Sequence, residues 1–409
     1  MIESDEFIEI RHRKNRNTII QLLSVLEDWT DAIDNDLQVD TLYLDFRKAF
    51  DSVPHRRLLK KIEAYGISGN ILMWLKDFLD GRLQRVVLDG FESGWNRVIS
   101  GIPQGSILGP ILFIIFVNDL PSVVGSICKM FADDCKIYRR IVSNQDIQAL
   151  QEDIARLCQW SEDWKLAFNI QKCKLVSFGR MKFDAQYHML DKDGNNCDLK
   201  REDSEKDLGV VFNSKLNFEQ HISSTVNKVN RIIGLIKRKF SCIDKDLFLT
   251  LYKSLIRSHL DYGNLVYFPT TKKCKQLLEN AQRRATRLVP ALRGLSYTQR
   301  LQELNLPSLD YRRKRFDMIQ VYKIIHGIDD IDMSIFFTFA GDGGTRGHSL
   351  KLLKPQARKS SRLNSFSLRT VSIWNDLPQD IVSCGTVNTF KSKLDKLWSA
   401  RRFDLSEVY

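Results

Sequence analysis

The chain has 409 residues, enough for two or three domains that each bury a core, and its 43% apolar and 27% charged residues read as globular throughout. A formal charge of +12 points to a polyanionic partner and says nothing of fold. The eight cysteines are scattered, with no Cys-x-x-Cys pair and no histidine at zinc-ligand spacing, which argues against a zinc site and suits reduced thiols inside a cell.

The N-terminus is acidic and lacks the apolar core of a signal peptide. Ile19, Leu22, Leu23, Leu26, Trp29 and Ile33 fall near helical spacing and predict a helix over Thr18–Ile33. Val39–Leu44 reads as a buried strand ending at Asp45. Two helices are expected between Pro54 and Leu79, broken at Gly66–Gly69. Arg85–Leu88 and Trp95–Ile99 read as strands joined by the Asp89-Gly90 turn. Ile107–Val117 is the strongest apolar stretch, but Pro110 interrupts it and a bilayer needs roughly 20 residues. A buried helix is the better reading, and no membrane role follows.

Ser126–Ile141 then predicts a hairpin with Ala132-Asp133-Asp134 at its tip. Strands and helices interleaved in this way indicate an antiparallel sheet backed by helices, an α+β architecture. Polar turns at Asp191–Asn196 are taken as the edge of a first domain. Beyond them, Ile222, Val226, Val229, Ile233, Ile236 and Phe240 mark an amphipathic helix, followed by helices over Lys245–His259 and over Lys275–Val289, the last ended by Pro290. The tail holds a glycine-rich break at Gly341–Gly344 and a basic, serine-rich stretch from Lys351 to Arg369.

Charge is unevenly placed. Arg231–Arg315 holds 19 Lys and Arg against 6 Asp and Glu, a net of +13, so the remainder sums to 12 − 13 = −1. Taken alone, such a run is a set of solvated helix faces. Beside the signatures that follow, it reads as a surface for nucleic acid.

Three signatures occur in order: Asp45 at the end of an apolar run, Gly101-Ile102-Pro103-Gln104-Gly105, and Phe131-Ala132-Asp133-Asp134 in the hairpin. Transfer of a nucleotide to a 3′-hydroxyl develops charge on entering and leaving oxygens, which two Mg²⁺ ions roughly 4 Å apart stabilise. Magnesium takes hard oxygen ligands, so carboxylates must converge from different parts of the chain. Asp45 and Asp133 are assigned as the principal ligands, with Asp134 secondary, because neighbours in a strand point to opposite faces. An Asp-Asp pair alone would be an ordinary turn. In the second signature, glycine permits close backbone approach, Pro103 stiffens the loop, and Gln104 donates and accepts beside a nucleotide.

Thr41–Asp51, Gly101–Pro110 and Phe131–Asp134 resemble the successive catalytic motifs of reverse transcriptases of non-LTR, LINE-type retrotransposons. Asn169–Lys174 is similar to the following motif, and Arg283–Arg287 and Trp374–Pro378 to the tail of the jockey and CR1-like groups. The resemblance implies a right-hand polymerase, with residues 1–38 a remnant of the fingers, 39–185 the palm, 186–330 a basic helical thumb, and 331–409 without an assigned role beyond RNA contact. It implies RNA-directed DNA polymerase activity using two Mg²⁺ ions, an RNA template, a DNA primer and dNTPs, inside the cell and in the nucleus. Lys172, or alternatively Lys174, would assist pyrophosphate departure. Phe46, Phe50, Pro103, Gln104 and Gly105 would contact the nucleotide, with Phe50 excluding a ribose 2′-hydroxyl. Leu208 and Gly209 would touch the primer, and Arg283, Arg284 and Arg287 the nucleic acid.

The sequence departs from the pattern at its start, where only about 40 residues precede Asp45 and Arg11-His12 replaces a Gly-Phe pair beside the basic run Arg13–Thr18. Basic residues that would grip a triphosphate are absent there, so an incomplete pocket and low activity are expected unless the missing part comes from elsewhere. The alternative is a nucleic-acid binder that keeps the scaffold without catalysis. Arg312–Arg315 reads either as a nuclear address or as a helix face.

Overall fold

The computed structural model describes residues 17–341 and 347–409, so Arg11–Arg16 of the expected basic motif and Asp342–Gly344 of the glycine-rich break lie outside the described residues. The described chain forms two units, one of residues 37–203 and one of residues 17–36 with 204–409.

The first unit is built on a five-stranded sheet of β1 (Gln38–Leu44), β2 (Ile127–Phe131), β3 (Asp134–Ile141), β4 (Lys174–Phe178) and β5 (Lys200–Arg201), in the order β5-β4-β1-β3-β2. Its pairs are antiparallel except β5 with β4, a short parallel edge that the antiparallel expectation did not contain. Alternation along the central strand sends Leu42, Leu44 and Phe46 into one core with Leu112, Phe113 and Phe116 of α1 (Leu108–Val117) and Leu150, Ile154 and Trp160 of α2 (Asn144–Trp164). Tyr43 and Asp45 thereby fall on the other face. The polar residues of β1 are not free to turn to water, and buried Asp40 is satisfied by Gln38 Nε2 and Tyr187 Oη, each at 2.9 Å.

Three sequence expectations change in this unit. Asp89 and Gly90 do form a tight turn, both with positive φ, but a two-residue loop closes on its immediate neighbours, so Val87–Leu88 pairs with Phe91–Glu92 and Leu83–Gln84 pairs with Asn96–Arg97. Helix α1 is buried on one side only, since Ile111 is 48% exposed. The turn at Asp191–Asn196 joins two short strands inside the unit, which continues to Asp203 because Leu199 N–H bonds the Tyr187 carbonyl and β5 pairs with β4.

The second unit is mainly helical. The helix Thr18–Asp34, capped by the Asn17 side chain, belongs to it: Glu27 accepts from Arg362 at 2.6 Å and from Ser367, and the Trp29 ring meets Phe212 edge-on at 5.5 Å. A hairpin of β6 (Ser204–Asp207) and β7 (Val210–Asn213) precedes α3 (Glu219–Lys239), α4 (Lys272–Thr286) and α5 (Leu309–Ile325). The segment after residue 330 is part of the same body, with Arg369 gripping buried Asp317 of α5 through two bonds of 3.0 and 2.7 Å. The helix expected over Lys245–His259 runs from Lys245 to Asp261 and is interrupted by a π turn at Tyr252–Ile256, whose extra residue turns Tyr252 and Ile256 into the core.

Lys61 shows how tightly the first unit is packed. Its ammonium is 95% covered, donates to the Phe116 carbonyl and, at 2.6 Å, to Asp119, and lies 3.6 Å from the Trp164 ring centroid. Burial lowers its pKa to about 8, against the opposing pull of Asp119. The unfolded chain holds this proton up to about pH 10.5. Lys61 therefore contributes stability above that pH and loses it as the pH falls through about 8. Urea unfolding of the wild type is expected to show a gain on the order of 3 kcal/mol between these limits. Lys61→Met should lack that gain, and identical pH profiles for the two proteins would count against it.

Candidate active site

Asp45 stands one step past the Leu44–Cys135 pair that ends the β1–β3 ladder, and Asp134 one step before Cys135 on β3, so the two lie at the same end of the sheet. Leu44 and Cys135 both enter the core, so Asp45 and Asp134 share the opposite face. Asp133 occupies the two-residue turn after Ala132, whose φ is 53°. Asp134 is the first residue of β3, and Asp133 stands beside it in the turn.

Beyond Asp45 the chain continues beside a second segment: Asn169 N–H donates to the Asp45 carbonyl at 2.7 Å, Phe46 bridges Phe168, and Arg47 N–H bonds Ala167. The turn that follows brings Lys172 Nζ to 3.5 Å from Asp45 Oδ2. Lys174 instead pairs across from Tyr43 within the sheet. Asp45 Oδ2 is otherwise enclosed and has no hydrogen-bond partner. Burial pushes the neighbouring Cys173 thiol up to about 11, so it stays protonated at neutral pH and offers no thiolate ligand.

These features fit a hard cation in donor chemistry: carboxylates only, one with a buried oxygen that has no hydrogen bond and faces only the Lys172 ammonium at 3.5 Å. Among the described residues, however, no three His, Cys, Asp or Glu side chains already form a group able to hold a metal ion.

The Gly101 loop lies against the segment after Asp45. Gly101 N–H bonds the Val53 carbonyl and Ile102 N–H bonds that of Phe50, while the Gly101 carbonyl accepts from Arg82 and pairs with His55, both at 2.8 Å. Gln104 Nε2 donates to Asp51 Oδ1 at 2.9 Å, so its amide is engaged within the protein. Pro103 accepts from the Ser106 hydroxyl, and Gly105 is exposed with φ 82°. Phe50 is half-buried and stacks on Phe113 at 4.6 Å. Phe46, expected at the nucleotide, has its ring in the core, stacked on Phe168 at 4.8 Å and 5% exposed, because strand alternation sends it opposite to Asp45. Asp51, His55, Arg82 and Phe113 are the supports that sequence reading missed. Asp51 lay inside a recognised motif, whereas the others carry no local signal.

The remaining candidates belong to the second unit. Leu208 and Gly209 form the β6–β7 turn, both with positive φ of 43° and 87°. Tyr262 holds this turn, its hydroxyl donating to the Leu208 carbonyl at 2.6 Å. Arg283, Arg284 and Arg287 are exposed at the end of α4. Arg312–Arg315 does not present a free basic run. Arg312 pairs with Asp261, Arg313 is buried, Lys314 bonds Glu407, and Arg315 pairs with Asp395.

Residues 14–212 match the family described as reverse transcriptase (RNA-dependent DNA polymerase), so that stretch is a reverse transcriptase domain. The RNA-directed DNA polymerases from mobile element jockey of Drosophila melanogaster and Drosophila funebris are each 29% identical over 273 residues, covering 62% of this chain and 29% of theirs. The Pol polyprotein from type-1 retrotransposable element R1 of Bradysia coprophila is 25% identical over 243 residues, covering 56% of this chain and 23% of its own. The matched stretch is thus similar to the polymerases of mobile elements, and the chain spans less than a third of the length of these relatives. Among solved structures, a telomerase from Candida albicans covers 73% of this chain and 56% of its own at 10% identity, with a TM-score of 0.37, too distant to define the fold. No helix among the described residues is long and apolar enough to cross a membrane.

Gly101 provides a test of the loop. With φ at 88°, a Cβ there would lie 2.7 Å from the Asp51 carbonyl oxygen. Gly101→Ala is expected to cost roughly 1–3 kcal/mol, read as a lower urea midpoint. An unchanged midpoint would show that the loop moves aside freely.

Proposed function

We propose that this chain is the RNA-directed DNA polymerase part of a LINE-type element, with residues 37–203 as its palm and the basic helices after residue 204 as its thumb. The supporting observation is the buried Asp45 Oδ2, which has no hydrogen bond, lies at the same end of the sheet as Asp134, and stands 3.5 Å from the Lys172 ammonium. Its substrates are an RNA template, a DNA primer and dNTPs, and its site of action is the nucleus.

Asp45, Asp133 and Asp134 would hold two Mg²⁺ ions, which when bound supply charge neutralisation and ease ionisation of the primer hydroxyl. Lys172 keeps a proton next to this centre and delivers it to the departing pyrophosphate. Phe50, braced by Phe113, stands as a wall against a ribose 2′-hydroxyl. Gln104, Pro103 and Gly105 shape the loop beside it, and the Gln104–Asp51 bond ties that loop to the segment carrying Phe50.

One observation favours a second reading, a nucleic-acid binder without catalysis: the three carboxylates are not gathered into a ready group of metal ligands. Primer extension separates the two. With Mg²⁺, an RNA template and a DNA primer, the purified chain should incorporate deoxynucleotides, and Asp45→Asn or Asp133→Asn should reduce the rate about a thousandfold. Incorporation no greater than that of these variants would end the polymerase reading and leave the binder.

Sugar selection is tested by Phe50→Ala. The variant should accept ribonucleotides at least about tenfold better relative to deoxynucleotides, the removal of one steric barrier being worth 1.4 kcal/mol or more. Unchanged discrimination would remove Phe50 from this role.

A further inference from the structure

The peptide between Gly101 and Ile102 is held at both of its polar ends. Its oxygen, the Gly101 carbonyl, accepts from Arg82 Nη2 and pairs with His55 Nε2, both at 2.8 Å. A carbonyl offers two lone pairs and no proton, so both pairs are spent and His55 carries its proton on Nε2. A trans peptide is planar, with its C=O and N–H pointing in opposite directions. Fixing the oxygen therefore aims the Ile102 N–H, which meets the Phe50 carbonyl at 2.7 Å.

Both donors are anchored outside the loop they hold. His55 opens the helix His55–Ala64 and is 8% exposed. Arg82 follows the helix Gly69–Leu79, donates Nε to the Leu79 carbonyl at 3.1 Å, and accepts at its own carbonyl from Val98 N–H at 2.9 Å, so it also closes the base of the hairpin. The restraint comes from outside because the loop cannot supply it. The Asp51 backbone leaves no room for a Cβ at Gly101, and a glycine, here at φ 88°, turns its peptide more readily than other residues. Turning this peptide over would break three hydrogen bonds, one of them charge-assisted, and would point the Gly101 carbonyl at that of Phe50.

We propose that His55 and Arg82 are positioning residues for the incoming nucleotide: their shared grip on the Gly101 carbonyl holds the Gln104 loop and the Phe50 wall in one fixed relation. Two further bonds stiffen that relation, Gly101 N–H to the Val53 carbonyl and Gln104 Nε2 to Asp51 Oδ1, both at 2.9 Å. A nucleotide seated against loop and wall together meets a loosened peptide as weaker binding and poorer sugar selection. The acids and Lys172 are held by other bonds, among them Asn169 N–H to the Asp45 carbonyl, so the chemical step is spared. The proposal rests on the polymerase reading and adds to it the residues that set nucleotide affinity.

The test compares the full chain with His55→Phe, Arg82→Met and His55→Gln, the last keeping an amide donor at similar reach. Hydrogen exchange reads the clamp directly. The Ile102 amide should exchange at least about tenfold faster in His55→Phe and Arg82→Met and return toward the wild-type rate in His55→Gln. Single-turnover extension of an oligo(dT) primer on poly(rA) reads the consequence. In the same two variants the Kd for dTTP should rise about tenfold, the maximal rate should stay within about threefold, and UTP should gain on dTTP by at least about threefold. Arg82 is only partly buried, so Arg82→Met carries the test if His55→Phe does not fold. Unchanged Ile102 exchange overturns the clamp. Faster exchange with the dTTP Kd and sugar preference unmoved overturns the positioning role and leaves a structural one. A wild type that extends no primer, with exchange still faster in the variants, sinks the polymerase reading and the nucleotide role with it, while the clamp stands.

Discussion

The organisation of the candidate site depends on one constraint, the burial of β1 at the centre of its sheet. A strand enclosed on both sides has no choice of register, since a slip by one residue would carry Leu42, Leu44 and Phe46 out of the core and drive Tyr43 and Asp45 into it. Side-chain alternation then makes Asp45 the first position where the enclosed strand can present charge, and the antiparallel pairing with β3 brings the hairpin turn to the same end. The carboxylates lie at one end of the sheet because the apolar residues beside them cannot move.

Around that rigid edge the chain holds several backbone conformations that side chains ordinarily avoid. Lys48 precedes Phe50 with φ 50°, Ala132 precedes Asp133 with φ 53°, and Gly101 at φ 88° lets its loop touch Asp51. Each sits next to a candidate residue, and each is held by neighbours that leave little alternative: the Phe50–Phe113 stack, the β2–β3 ladder, and the bonds from Arg82 and His55 to the Gly101 carbonyl. Such strain persists only where surrounding packing over-determines it, and it aims side chains that a relaxed loop would leave mobile.

Periodicity made the elements of both units legible. The strand ending at Asp45, the hairpin tip, and the helices over Thr18–Asp34, Glu219–Lys239 and Lys272–Thr286 all lie close to where spacing puts them. Long-range choices were not legible. Periodicity shows that Thr18–Asp34 has an apolar face but not its partner, and Glu27, an acid in that helix, finds Arg362 more than 300 residues away. Residue type likewise misjudged Phe46, since an aromatic beside a catalytic motif reads as a ligand contact until strand parity assigns it inward. In the candidate site the acids and the lysine were visible as motif positions, whereas the bonds that aim them, from Asn169 to Asp45 and from Gln104 to Asp51, appear only once the chain is folded.

Charge shows the same difference between composition and structure. The segment Arg231–Arg315 carries the chain's whole surplus, and some of its cations are held in ion pairs: Lys245 with Glu303, Lys275 with Asp310, and Arg312 with Asp261 inside the segment, and Arg315 with Asp395 outside it. A paired cation contributes little to the attraction of a polyanion, because its field is cancelled within a few ångströms and its donors are occupied. Exposed cations remain at several places for an incoming phosphate, among them Lys237, Arg238 and Lys239 at the end of α3, Lys272 and Lys273 at the start of α4, and Arg283, Arg284 and Arg287 at its end. A basic stretch read from sequence as one broad surface is thereby divided between cations held in ion pairs and cations exposed on several helices, so its formal charge overstates what a polyanion would meet at any one place.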